Sequence, residues 1–258
     1  MTDQENKKFL PSNVFEGMTS ISAVINHADQ NGRTIEKVWI DQEKKKAKAP
    51  EIGFLQAKSR ELGFAIEWVE RAKLDEIASG TTHGGILAFC SNRTLLLLDA
   101  NQIKPNGFYV FFEGIEDPYN FGYTVRSLYA AGVDGIVLPP RNWMNAAGVV
   151  ARASAGTSEM IPIFVSESAE VPKIFHECGY QILCAGIRDS VSVFEERFQF
   201  PVLLVIGGEK RGISRNILNS ADRIVRIDYG RTFRGSLCAS AAAAVLAFAL
   251  LEQNKPGK

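Results

Sequence analysis

Asn120-Phe-Gly-Tyr-Thr-Val-Arg126 sets a carboxamide and a guanidinium about a turn and a half apart on a helical segment. A guanidinium stays charged at any ordinary pH and presents a planar fork of donors, so Arg126 could meet an anionic group, or be no more than a surface arginine on an amphipathic helix. A second segment, Ile206-Gly207-Gly208-Glu209-Lys210-Arg211-Gly212-Ile213-Ser214, is a glycine turn of the kind that lets a ligand approach the backbone. It matches neither the dinucleotide pattern nor the phosphate loop. Glu209 would repel a phosphate there and better suits a ligand that is neutral or cationic at that point, or a partner arginine. A third segment runs from Val225 through Ile227, Asp228, Arg231 and Arg234 to Ser236-Leu237-Cys238, with Ser236 typed as the cap of the apolar helix that follows. Between Gly207 and Arg234 stand seven basic residues against three acidic ones. In a chain with 29 basic and 29 acidic residues, that local excess points to an anionic substrate. Taken singly, each segment is equally compatible with a solvated face or a plain strand-to-helix connection.

The elements that must hold these residues differ between the two halves. Phe108–Phe112, Gly135–Leu138, Gln181–Cys184 and Pro201–Ile206 are nearly continuous apolar runs, the pattern of strands buried on both faces in a parallel sheet. The first runs into an Asp117-Pro118 turn. Asn120 is typed as the next helix's N-cap, and Gly132 lies just past its end. Arg126 then projects near the carboxyl ends of the sheet, where ligands collect in open α/β folds. The last helix, Ala239 to Leu251, is apolar all round and so belongs in a core or a subunit interface.

Ahead of this lies a smaller α/β module. Met18 to Ala28 and Pro50 to Leu62 read as helices, with a shorter one from Lys73 to Ala78. Glu36 to Ile40, Ala65 to Val69 and Gly85 to Cys90 read as strands. The expected organisation is a module over 15–92, a linker over 93–104 containing the apolar run Leu95 to Leu98, and a second domain over 105–258. Lys44-Lys45-Lys46-Ala47-Lys48 forms a basic run in a loop of the first module.

A net charge of zero excludes a protein that coats nucleic acid through bulk charge. The four cysteines show neither a C-x-x-C pair nor regular disulfide spacing, and three scattered histidines are poor material for zinc, so no metal is expected. The polar start and the lack of a long apolar run argue against a leader peptide or a membrane span, and the chain reads as cytoplasmic.

In this order and spacing the three segments, with Arg152-Ala-Ser154-Ala-Gly156 and Ile161-Pro162 between them, resemble the motifs of the SpoU-like (TrmH-type) branch of the SPOUT methyltransferases. The resemblance covers about Phe108 to Leu251. It extends more weakly to Thr82-His83-Gly84-Gly85-Ile86-Leu87-Ala88, which is similar to the end of a ribosomal-protein L30e-like RNA-binding domain. The family implies a trefoil-knotted parallel-sheet catalytic domain, a homodimer joined through it, and transfer of a methyl group from S-adenosylmethionine to a ribose 2′-hydroxyl of RNA, ribosomal rather than transfer. It gives catalytic roles to Arg126, Asn120, Glu209 and Ser236, and donor contacts to Gly207, Gly208, Ile227, Leu237 and Cys238. Arg211, Arg231 and Arg234, with Lys44, Lys45 and Lys46, would meet the RNA. Where the family has Ser-Leu-Asn, this chain has Ser236-Leu237-Cys238, so a knotted dimeric RNA-binding protein with impaired catalysis is the alternative. Cys238 is expected to be a small buried residue that fills space.

Overall fold

The computed structural model describes residues 13–80, 83–140, 146–208 and 210–254. Thr82, Glu209 and the polar stretch 1–8 lie outside them. The chain forms two compact units: Met1–Thr94 with Asn142–Met160, and Leu95–Arg141 with Ile161–Lys258. Along the chain the segments of the two units therefore alternate, where consecutive domains were expected.

The first unit contains β1 (Val14–Glu16), α1 (Gly17–Asn26), α2 (Ala28–Asn31), β2 (Ile35–Asp41), α3 (Ala49–Leu62), β3 (Ala65–Val69), α4 (Arg71–Asp75) and β4 (Ile86–Cys90). Its sheet has the order β1-β4-β2-β3, with only the β2–β3 pair parallel. α3 ends where predicted because Gly63 takes the left-handed conformation, φ +80°, and its N–H closes on the Ser59 carbonyl.

Residues 146–160 join this unit for packing reasons that linear order conceals. Ala147 and Ala151 sit in one apolar cluster with Phe15, Ile21 and Val38. A Cβ at Gly148 would lie 1.8 Å from the Val14 carbonyl oxygen, so only glycine permits that approach. Arg33, 1% exposed, donates from Nε to Glu159 Oε2 at 3.0 Å and from Nη1 to the Ser91 carbonyl at 2.7 Å. Its guanidinium lies 4.8 Å from the Phe15 ring centroid. Such a buried pair is costly to break from one side, because the survivor is left charged and dry.

His83 is also fully buried. Its Nδ1 accepts the Gly85 N–H at 3.1 Å, which leaves Nε2 to donate to Asp75 Oδ1 at 2.8 Å. That bond, helped by Arg71, holds the Asp75 carboxyl below its ordinary 3.8. A depressed carboxylate stabilises the fold above its unfolded value and loses that contribution as pH falls through its folded value. The Asp75 carboxyl-carbon resonance is accordingly expected to titrate with a midpoint under 3.8. Arg71→Gln should raise that midpoint, and an unchanged midpoint would remove Arg71 from the account.

The second unit is built on β5 (Leu96–Leu97), β6 (Phe108–Glu113), β7 (Gly135–Leu138), β8 (Ile163–Val165), β9 (Gln181–Ala185), β10 (Val191–Ser192), β11 (Val202–Gly207) and β12 (Arg223–Arg226). These form an eight-stranded sheet in the order β10-β12-β9-β11-β6-β7-β8-β5, parallel at every pairing. The apolar runs become the central strands: β6, β7, β9 and β11 adjoin the deepest side chains, among them Phe111, Val137, Leu183 and Leu204, each fully buried. The apolar stretch in the expected linker is edge strand β5, paired with β8, with Leu97 78% exposed.

Chain order places α5 (Pro118–Ala130) after β6, α6 (Ala147–Ala153) in the first unit, α7 (Val171–Glu177) before β9, α8 (Arg215–Asn219) after β11 and α9 (Ala239–Asn254) last. Two capping expectations are corrected. Asp117, not Asn120, caps α5, its Oδ1 accepting the Asn120 N–H at 2.7 Å, because Pro118 already occupies the first helical position. Ser236 does not cap α9, which begins at Ala239; the Cys238 carbonyl accepts its first helical bond, from the Ala242 N–H at 3.0 Å. Gly132, φ +77°, ends α5 as expected.

Candidate active site

The carboxyl ends of β9, β11 and β12 open into a cavity of about 750 Å³, within the range of small-molecule sites. Three loops form it. The loop after β11 supplies Gly207, Gly208, Gly212 and Ile213; the loop after β12 supplies Ile227, Tyr229, Ser236, Leu237 and Cys238; the loop after β9 supplies Gly186, Ile187 and Arg188. Leu218, Ile224 and Leu246 complete an apolar wall.

The glycines of the turn are needed for backbone packing. A Cβ at Gly207 would come 2.5 Å from the Gly212 carbonyl carbon and 2.7 Å from the Ile213 nitrogen; one at Gly208 would come 2.2 Å from the Gly114 oxygen. Gly212, φ +63°, turns the loop back so that its N–H donates to the Gly208 carbonyl at 2.9 Å. The end of β6 anchors this loop twice. The Glu113 carbonyl accepts the Gly208 N–H at 2.9 Å, and its Oε2 accepts the Ser214 N–H at 2.8 Å.

The loop after β12 is held by polar contacts. The Tyr229 hydroxyl accepts the Leu237 N–H at 3.3 Å. Asp228 accepts from Arg226 Nε at 2.8 Å and from the Ser192 hydroxyl. These bonds, the Ser192 contribution being the larger, keep the Asp228 carboxyl below its ordinary value. Arg226 is thereby neutralised at the cavity wall, whereas exposed Arg188 has no ion-pair partner among the described residues.

The structure gathers Gly207, Gly208, Ile227, Ser236, Leu237 and Cys238 around one cavity. Asn120 lines a smaller recess of about 130 Å³ with Gly114, Ile115, Glu116, Asp117, Lys210 and Ala239. Arg126 lines neither; it stands exposed further along α5, with no hydrogen-bond or ion-pair partner among the described residues. Glu209 is outside the described residues. Cys238 is exposed rather than buried, its sulfur 3.2 Å from the Ser240 hydroxyl.

Arg211, Arg215, Arg231 and Arg234 are all exposed and without an ion-pair partner among the described residues, while Lys210, Arg223 and Arg226 are paired with Glu116, Glu196 and Asp228. In the first unit, Lys45 and Lys46 are exposed, and Lys45 Nζ lies 5.5 Å from the Trp68 ring centroid; Lys44 is half-buried. Gly186, Ile187, Arg188, Tyr229 and the anchoring role of Glu113 were not foreseen. The available signal was positional, since the loop after each central parallel strand ends on the ligand side. Among the described residues, no group of three or more His, Cys, Asp or Glu side chains is placed to hold a metal ion, and no helix is long and apolar enough to cross a membrane.

This arrangement defines a class: an α/β enzyme with a small-molecule pocket at a parallel sheet's carboxyl edge, beside unpaired guanidinium groups. Residues 107–248 match the SpoU rRNA Methylase family, and residues 16–95 match the RNA 2′-O ribose methyltransferase substrate-binding domain. A 23S rRNA (guanosine-2′-O-)-methyltransferase, RlmB, of Shewanella oneidensis is 28% identical over 93% of this chain and 96% of its own. A TrmH-family tRNA/rRNA methyltransferase of Staphylococcus haemolyticus is 29% identical over 87% and 90%. The AdoMet-bound rRNA methyltransferase of Sinorhizobium meliloti superposes with a TM-score of 0.76 at 20% identity, over 95% of this chain and 89% of that one. The chain belongs to the SpoU rRNA methylase family and is an RNA methyltransferase.

Proposed function

We propose that this enzyme transfers a methyl group from S-adenosylmethionine to a ribose 2′-hydroxyl, in ribosomal rather than transfer RNA, in the cytoplasm and as a homodimer. The observation that carries the reading is the cavity of about 750 Å³, roofed by close-packed glycine backbone and flanked by unpaired arginines. The donor suits what lines it: apolar Ile213, Leu218, Ile224 and Leu246 for the adenosine, exposed backbone groups for its polar edges, and Arg188 for its carboxylate. A trefoil-knotted second unit, which the resemblance implies, belongs to the same reading. Exposed Phe248 on α9 and Tyr123 on α5, two helices that pack together, support a subunit contact on that face.

When bound, S-adenosylmethionine supplies an electrophilic methyl group. The chain's own residues must place the ribose oxygen in line with it and ease loss of the hydroxyl proton. Arg126, charged and unpaired, clamps the adjacent phosphate and stabilises charge developing on the oxygen. Asn120 and Glu209 orient the ribose or Arg126, and Ser236 shapes the loop. The first unit binds RNA as an L30e-like module. Ribose-methylation mapping of total RNA from a deletion strain is expected to show one ribosomal nucleotide that has lost its methyl group; an unchanged map sinks the assignment.

Binding should depend on salt through the free cations. Replacing Arg211, Arg231 and Arg234 together by glutamine is expected to lower the slope of log affinity against log salt by about two units, at ~0.7 per phosphate contact to a single strand. Replacing Lys44, Lys45 and Lys46 should also weaken binding and flatten the slope. A slope identical to the parent's would leave either set a merely solvated surface.

A further inference from the structure

The loop after β12 carries an aromatic pair of which only Tyr229 reaches the donor cavity. Phe233 is 56% exposed and Tyr229 37% exposed, their ring centroids 5.7 Å apart. Tyr229 is fixed at the cavity wall by its bond to Leu237, while Phe233 lies outside that wall. The Phe233 ring rests against Gly235, where a Cβ would meet it at 2.5 Å, so the absent side chain is what lets the ring settle there. A large apolar ring held out in water beside a site calls for an explanation. The unpaired guanidinium groups of Arg231 and Arg234 bracket it in sequence, and an aromatic face between free cations is the chemistry that receives a base and its flanking phosphates.

We propose that Phe233, supported by Tyr229 and Gly235, is a stacking site for an unpaired nucleobase, and that the enzyme therefore takes its target nucleotide single-stranded or extruded from a helix. The inference rests on the reading of RNA as substrate. The base stacks on Phe233 while the sugar of the same or the neighbouring nucleotide turns toward the cavity beside Tyr229. Arg231 and Arg234 hold the phosphates on either side. Stacking tolerates any base, so this site selects for an unpaired strand and leaves sequence selection to other contacts.

The test uses the full chain and three probes: single-stranded oligoadenylate, the same oligomer with its bases removed, and the oligoadenylate–oligouridylate duplex. On the single strand, Phe233→Ala is expected to lose roughly tenfold in affinity and Phe233→Trp to retain it. The base-free oligomer and the duplex should bind Phe233→Ala as well as they bind the parent, and calorimetry should show donor affinity unchanged. An equal loss on the base-free oligomer, or no loss on the single strand, overturns stacking alone. A parent protein that binds none of the three overturns the RNA reading as well. A change in sedimentation on mutation, with RNA affinity intact, would mean that Phe233 covers a second copy of the chain and would likewise overturn the proposal.

Discussion

Gly208→Ala is expected to abolish donor binding and to destabilise the second unit by about 1–3 kcal/mol, the usual penalty for overpacking. The added carbon would stand 2.2 Å from the Gly114 oxygen and 2.7 Å from its carbonyl carbon. Both are main-chain atoms, so no rotamer change relieves the clash, and β6 and the glycine loop must move apart. That movement strains the Gly208 N–H bond to the Glu113 carbonyl and opens the roof of the cavity. Gly230→Ala is the control, because a carbon there meets nothing within 4 Å. Calorimetry with S-adenosylmethionine should show heat for Gly230→Ala and none for Gly208→Ala. Thermal melts should separate the two variants in the same order. Full donor affinity in Gly208→Ala would mean that the loop packs differently from the structure described.

The second large effect is expected at Arg126. Arg126→Ala should lower the methylation rate by a factor on the order of 10²–10³, the loss that follows removal of one group stabilising an oxyanion, while donor affinity stays nearly the same. The separation follows from placement. Arg126 lines neither recess and has no partner among the described residues, so its removal takes nothing from the donor pocket or from the packing of α5, whose buried face is Phe121, Gly122, Thr124, Val125 and Leu128. Arg126→Lys should recover little, since an ammonium cannot present the planar fork. Equal collapse of donor binding and turnover would make Arg126 a structural residue and refute the mechanism proposed above.

How far the fold could be read in advance varies by element. β3 and β7 coincide with their expected bounds, β6 and β9 run one residue longer, and β11 is shifted by one residue at both ends; in the second unit, continuous apolar runs closed by Gly, Pro or Asp leave little choice of period or length. Shorter elements were less legible. β5, β10 and β12 are two to four residues long, and so little chain carries no periodicity; their sheet partners define them. The capping errors share one cause. Asn120 and Ser236 are both good capping types, but Pro118 starts α5 early and α9 starts late, and a residue's type cannot say which of several polar neighbours reaches the free N–H groups.

The site shows the same divide. The identity of the glycines, the surplus of arginines along the chain between Gly207 and Arg234, and the Asn120–Arg126 spacing are properties of covalent order. So is the buried parallel sheet, since burial on both faces is written in hydrophobicity alone. Tertiary structure decided which cations remain free. Lys210, Arg223 and Arg226 are matched by Glu116, Glu196 and Asp228, and two of those partners lie far off in sequence. It also moved residues 146–160 into the first unit through the Arg33–Glu159 pair, brought the loop after β9 into the cavity, and left Phe233 in water. Each of these depends on distances between segments remote in the chain. A linear pattern holds local period and residue type, whereas ion pairing, cavity walls and exposure are set by which remote surfaces meet.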